Sequence, residues 1–130
     1  MSLVQKISDL ASAMGSELKS RISALHPGVA KAWVCFGYVG NQVVLRAGYN
    51  VQSVTRIAAG KYRVNFARAM PDAKYAWSAF ARQGGGQSSL QFAAVRSTAE
   101  AKTAEYVEVI CVSANGTLSD TPEMNLTVLR

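Results

Sequence analysis

Gly60-Lys61-Tyr62-Arg63-Val64-Asn65-Phe66 (GKYRVNF) alternates apolar and polar residues without a fault. Successive side chains of a strand point to opposite faces, so Tyr62, Val64 and Phe66 share one face and Lys61, Arg63 and Asn65 the other. The stretch reads as a strand with one face on a core and the other in water. Just upstream, Ala58-Ala59-Gly60 supplies a hairpin turn, and residues 49–57 read as the partner strand, with Val51, Thr55 and Ile57 on one face and Gln52 and Arg56 on the other. Further out, residues 31–39 (KAWVCFGYV) are aromatic and β-branched; Gly40-Asn41 marks a turn into another strand at 42–47.

Downstream the pattern persists. Met70-Pro71-Asp72-Ala73 is a loop, and residues 74–82 form a strand with Tyr75 and Trp77 on one face and Phe80 on the other. Gln83-Gly84-Gly85-Gly86-Gln87 is a hairpin tip, followed by strands at 88–96, 106–113 and 124–129, with a polar connection at 97–103 and a turn at 114–117. Seven or eight short strands at near-regular spacing, with no helical pattern between them, predict a mainly β fold. An antiparallel β-sandwich or small barrel fits this pattern.

Ahead of the strands, residues 2–25 read as a helix. Ser2-Leu3-Val4-Gln5 fits a capping box, with the Ser2 hydroxyl and the Gln5 amide each satisfying an orphan N–H. Apolar residues recur at Val4, Ile7, Ala11, Met14, Leu18, Ile22 and Leu25, in steps of 3, 4, 3, 4, 4 and 3, a seam close to a heptad repeat. Leu3 and Leu10 widen it, which favours more than two helices or a broader surface to pack on. His26-Pro27-Gly28 stops the helix, dividing the chain into residues 1–27, for oligomerisation or anchoring, and a β domain at 28–130. The chain's own sheet could also cover the stripe. Its place beyond a Pro-Gly break, and the weakness of a lone helix in water, favour self-association.

Composition narrows the function. The chain of 130 residues is 49% hydrophobic, enough for one real core, and no apolar run approaches a membrane span. Lys6, Asp9, Glu17 and Lys19 interrupt the N-terminal segment, so a signal peptide is not expected and folding in the cytoplasm is. The net charge is +6, of which the helix contributes only +1 (three basic residues against two acidic). Because the arginines are scattered rather than clustered, solvated sheet faces explain the excess better than nucleic acid or an anionic cell surface does.

Candidate chemistry is sparse. His26, the one histidine, sits at a helix end where capping is its ordinary role. Glu105 and Glu108 fall on opposite faces of a strand, and Asp72 belongs to a turn whose backbone it can bond. Gly84-Gly85-Gly86 lacks the following helix and Lys-Ser/Thr pair of a phosphate loop, so a contact tip formed by Gly84, Gly85, Gly86 and Gln87 is the better reading. Cys35 and Cys111 read as small buried hydrophobes. Most aromatics lie at alternating strand positions expected in the core, with Tyr38 and Tyr49 the ones expected outside. The expectation is a non-enzymatic protein with no cofactor and no metal.

Three blocks also carry a resemblance: residues 30–36 (AKAWVCF), 49–57 (YNVQSVTRI) and 60–76 (GKYRVNFARAMPDAKYA). Through Lys31, Trp33, Phe36, Asn50, Val51, Ser53, Gly60, Tyr62, Val64, Phe66, Met70, Pro71, Asp72 and Tyr75, the chain resembles a β domain recurrent in tail-fibre and related structural proteins of tailed bacteriophages. Cys35 replaces the usual Asn, and the Gly84–Gly86 tip is outside the resemblance. The family implies a virion component, commonly a homotrimer, with a helical segment before an exposed knob. Expected partners are further copies of the chain, other virion proteins, and a host-surface glycan or protein. A capsid decoration or cement protein is the alternative, and a free carbohydrate-binding module a third reading.

Overall fold

The computed structural model describes residues 2–21, 26–82 and 90–130. They form α1 (Leu3–Arg21), β1 (Ala30–Val39), β2 (Gln42–Tyr49), β3 (Val51–Ala58), β4 (Lys61–Phe66), β5 (Ala76–Ala81), β6 (Gln91–Val95), a 3-10 turn at Ala99–Ala101, β7 (Tyr106–Ser113) and β8 (Met124–Leu129). The strands pair antiparallel in two four-stranded sheets, ordered β2-β1-β8-β5 and β3-β4-β7-β6. The result is a sandwich rather than a closed barrel. Tyr62, Val64 and Phe66 turn inward as their alternation dictates and meet Ala32, Val34 and Phe36 of β1 and Met124, Leu126 and Val128 of β8. Phe36 packs edge-on against Tyr62 (centroids 5.3 Å apart), and Phe66 against Tyr75 (5.6 Å). Such pairs add specific geometry to the burial that drives folding.

Turn chemistry sets the connections. Gly40 and Asn41 both hold φ +62, the two positive values that a tight type I′ hairpin requires, and Val39 pairs with Gln42 across them. A single residue, Asn50 (φ +54), carries the chain from β2 in the first sheet to β3 in the second. At the opposite end of the sandwich, residues 118–123 lie across the ends of both sheets. There the Tyr38 N–H donates to the Thr121 carbonyl, and the Thr121 hydroxyl bonds the Arg82 and Glu123 carbonyls.

Three expectations need correction. The alternation of residues 49–57 places Val51, Thr55 and Ile57 together on one face and Gln52 and Arg56 on the other. Register shifts at Val51/Ser53 and Arg56/Ala58 break the phase, so Val51, Val54 and Arg56 turn inward while Thr55 and Ile57 are exposed. An extra residue in one strand flips every side chain after it, and a period-2 count cannot register that. The strand expected at 74–82 begins only at Ala76, and the described part of the one expected at 88–96 begins at Gln91. The capping box is half formed: the Gln5 N–H donates to the Ser2 hydroxyl at 3.1 Å, but the Gln5 side chain reaches forward to Asp9 (2.9 Å) rather than back.

Gly60 marks the tightest approach among the turns. Its φ is +67, and a Cβ there would lie 2.7 Å from both the Cys111 oxygen and the Ser119 nitrogen. Those two atoms bond each other, the Ser119 N–H donating to the Cys111 carbonyl at 3.1 Å, while the Cys111 N–H donates to the Gly60 carbonyl at 2.8 Å. Gly60→Ala is expected to lose about 3 kcal/mol, combining left-handed strain of about 1–2 kcal/mol with displacement of the 118–120 backbone. A urea melt lying within 0.5 kcal/mol of wild type, roughly the noise of surface substitutions, would contradict this account.

Candidate functional site

The two outer faces of the sandwich differ in chemistry. On the second sheet, Glu108 is almost fully buried beneath two arginines, accepting from Arg63 (3.1 and 2.6 Å) and from Arg96 (2.8 Å). The Arg63 hydrogen bond, against the carboxylate's own burial and with help from Arg96, holds Glu108 below the usual carboxylate range. The Arg63 guanidinium also lies 4.1 Å from the Tyr106 ring centre. Ion pairs join Arg56 to Asp120, Arg82 to Glu123 and Arg130 to Asp72 as well. Much of the arginine content expected as solvated charge is therefore paired.

The first sheet presents the opposite surface. Strand register aligns Tyr49, Trp33, Thr127 and Ser78 in one row across its outer face, and Ala47, Cys35, Asn125 and Phe80 in the next. Neither row holds a charged residue. Trp33 is 41% exposed, Tyr49 55% and Phe80 74%. Trp33, Phe80 and the exposed Phe92 thus leave the core positions expected of them. Tyr38, expected outside, is instead half-buried under the Arg56 guanidinium, 4.3 Å from its ring centre. In KAWVCFGYV both faces are apolar, so alternation groups the residues without saying which group lies inside. Three exposed rings thus stand on two adjacent rows that carry no charge.

At the end of the sandwich away from residues 118–123, a cleft of about 700 Å³ opens between the start of β1, the end of β2, loop 67–71 and the C-terminus. Lys31, Tyr49, Asn50, Arg68, Met70 and Arg130 are among its walls. Asn50 staples two of them: its side chain donates to the carbonyls of Lys31 (3.0 Å) and Arg68 (3.1 Å) and accepts from the Arg68 N–H (2.7 Å). Asp72 bonds the Lys74 N–H as its turn position suggests and grips Arg130 through two further bonds (3.0 and 2.7 Å). The Arg130 bonds, then the Lys74 N–H, hold the Asp72 carboxyl at about 2. The Arg68 guanidinium has no hydrogen-bond or ion-pair partner among the described residues. The cleft is therefore cationic and fixed in shape.

No protein-family model, curated protein or solved structure matches this chain.

The helix residues picked out in the sequence fall where the seam places them. Val4, Ile7, Met14 and Leu18 are each more than half exposed on α1, and Ala11 is exposed with them. Every described side chain from Ser2 to Lys19 is exposed, so the β domain does not cover the stripe. Ile22 and Leu25 lie outside the described residues, as does the tip Gly84, Gly85, Gly86 and Gln87. His26 acts locally, its Nδ1 accepting from the Gly28 N–H at 2.9 Å. Both cysteines are free; Cys111 is fully buried, which pushes its thiol up to about 11, whereas Cys35 is half-buried on the aromatic face. Among the described residues, no three His, Cys, Asp or Glu side chains gather as a metal site, and no helix is long and apolar enough to cross a membrane.

Sequence reasoning missed the cleft and the aromatic face. Positions 31, 49, 68 and 130 are remote in sequence, and only topology joins them. The one signal available was Asn50, an amide at a one-residue link between strands, where a positive φ and local side-chain bonding are common.

Proposed function

We propose that this protein is a structural component of a tailed-phage particle, a short homotrimeric fibre-like unit. In it α1 assembles or anchors the chain, and the sandwich is a knob that contacts a host surface or a neighbouring virion protein. One observation carries the reading: the sandwich completes its core without α1, leaving the seam of Val4, Ile7, Ala11, Met14 and Leu18 in water. Such a stripe is stable when buried against other helices, and its breadth with Leu3 and Leu10 suits three better than two. The virion setting is supported by the resemblance of residues 30–76 to tail-fibre β domains.

In solution the full chain should have three times the monomer mass of 13.9 kDa, and a chain lacking residues 1–27 should have one. A full-length chain that is monomeric at micromolar concentration would end the trimer reading. The second reading is a decoration protein, for which α1 would be the anchor and the sandwich the knob. Copy number in purified particles separates the two roles: hundreds of copies mean decoration, a handful a fibre.

A further inference from the structure

We propose that the cleft at the Asn50 end of the sandwich binds an acidic oligosaccharide, its carboxylate or phosphate held by Arg68 and Arg130 and its neutral sugars lying on Tyr49 and Trp33. This deepens the contact role proposed above and rests on it. The anion site is built from the residues described. A guanidinium carries five N–H groups; Asp72 engages two of those of Arg130 and fixes its plane, leaving the remainder for a ligand. Arg68 brings an unpartnered guanidinium on a backbone that Asn50 holds by both N–H and carbonyl. Two guanidinium groups suit the oxygen pairs of carboxylate and phosphate, and the grip of Asp72 on Arg130 lowers the ordering cost of that one.

The rest of the ligand is set by what lies beside the cations. Tyr49 lines the cleft and also stands directly across from Trp33, so two exposed rings share one face. Beyond them the rows running to Ser78 and Phe80 carry no charge. A nucleic acid brings a phosphate with every base and needs cations along its whole path. Here the cations of the cleft stand at one end of the two uncharged rows, which extend away from it. A ligand with one acidic group and uncharged rings matches that division, since sugars present C–H faces to aromatic rings.

Calorimetric titration of the full chain with four probes tests this: sialyllactose, glucose 6-phosphate, lactose and oligothymidylate. Binding of sialyllactose or glucose 6-phosphate, with lactose at least about tenfold weaker, is expected, and the preferred acid identifies the anion. Arg68→Ala and Tyr49→Ala, both at exposed positions, should each weaken that binding about tenfold or more. Arg46→Ala, whose guanidinium bonds the Pro122 carbonyl away from the cleft, should leave it unchanged. Absence of binding to both acids overturns the proposal. So does oligothymidylate binding as tightly as either acid, or an Arg68→Ala chain that melts like wild type and binds unchanged. A trimer that ignores both acids removes this site and leaves the assembly role; a monomer that binds one of them does the reverse.

Discussion

A full-length chain carrying Ile7→Asp and Met14→Asp together is expected to sediment as a 13.9 kDa monomer where the wild type is trimeric. The two positions are seven residues apart on α1, so they occupy equivalent layers of the seam. Each aliphatic side chain contributes about 1.5–3 kcal/mol when fully buried. Losing both removes about 4 kcal/mol per chain, roughly a thousandfold in association, before the repulsion of three carboxylates at each layer is added. The sandwich should be untouched: both side chains are exposed in the single chain, so the urea midpoint of the β domain is expected to equal that of the helix-deleted chain. Ser16→Asp adds one such carboxylate on the helix face opposite the seam and should preserve the trimer. A double variant that keeps the wild-type mass would show that the stripe is not the assembly surface.

The contrast between what was legible and what was not follows the range of the interactions involved. β4 and β8 were readable because each alternates within itself, β7 because its run is rich in valine and isoleucine, and the β1–β2 turn because Gly40-Asn41 can take two positive φ values locally. β3 misled because its bulges insert phase changes that only its partner β4 reveals. Trp33 and Phe80 misled because their strands are apolar on both faces, leaving the choice of inner face to the packing of a second sheet. Long-range polar contacts left least trace. Asn50, Tyr62, Asp72 and Tyr75 stand in the blocks that resemble fibre domains, and each makes a specific polar contact. Asn50 staples the cleft, Tyr62 bonds Asp120, Asp72 holds Arg130, and Tyr75 places its hydroxyl 2.9 Å from the Thr103 carbonyl. Asp120, the partner of Tyr62, lies in an irregular stretch with no periodicity at all.

Asp120→Ala is expected to be the most damaging single polar substitution, lowering stability by about 3 kcal/mol. Its carboxylate accepts from Arg56 through two bonds (3.0 and 2.8 Å), from the Gly60 N–H (3.0 Å) and from the Tyr62 hydroxyl. One side chain thus ties residues 118–123 to β3, β4 and the turn between them. Its removal leaves a guanidinium 31% exposed and a buried phenol without their acceptor. The remaining exposure of the pair, 31% and 22%, keeps the loss below that of a fully buried ion pair. The same bonds predict a pH dependence. Burial pushes the Asp120 carboxyl up, but the bonds from Arg56, Tyr62 and Gly60 together outweigh it and hold the group at about 2, below its ordinary 3.8. A depressed native pKa means that the unfolded chain takes up the proton first as acid is added. The contribution of Asp120 is therefore complete above about pH 4 to 5 and is lost as pH falls toward 2. Asp72 and Glu108, both also shifted downward, add to the same acid loss. Subtracting the stability curve of Asp120→Asn from that of wild type isolates the share of Asp120. The difference should be level from pH 5 to 8 and shrink below pH 4; a difference that stayed level down to pH 2 would show that the Arg56–Asp120 bonds do not set that pKa.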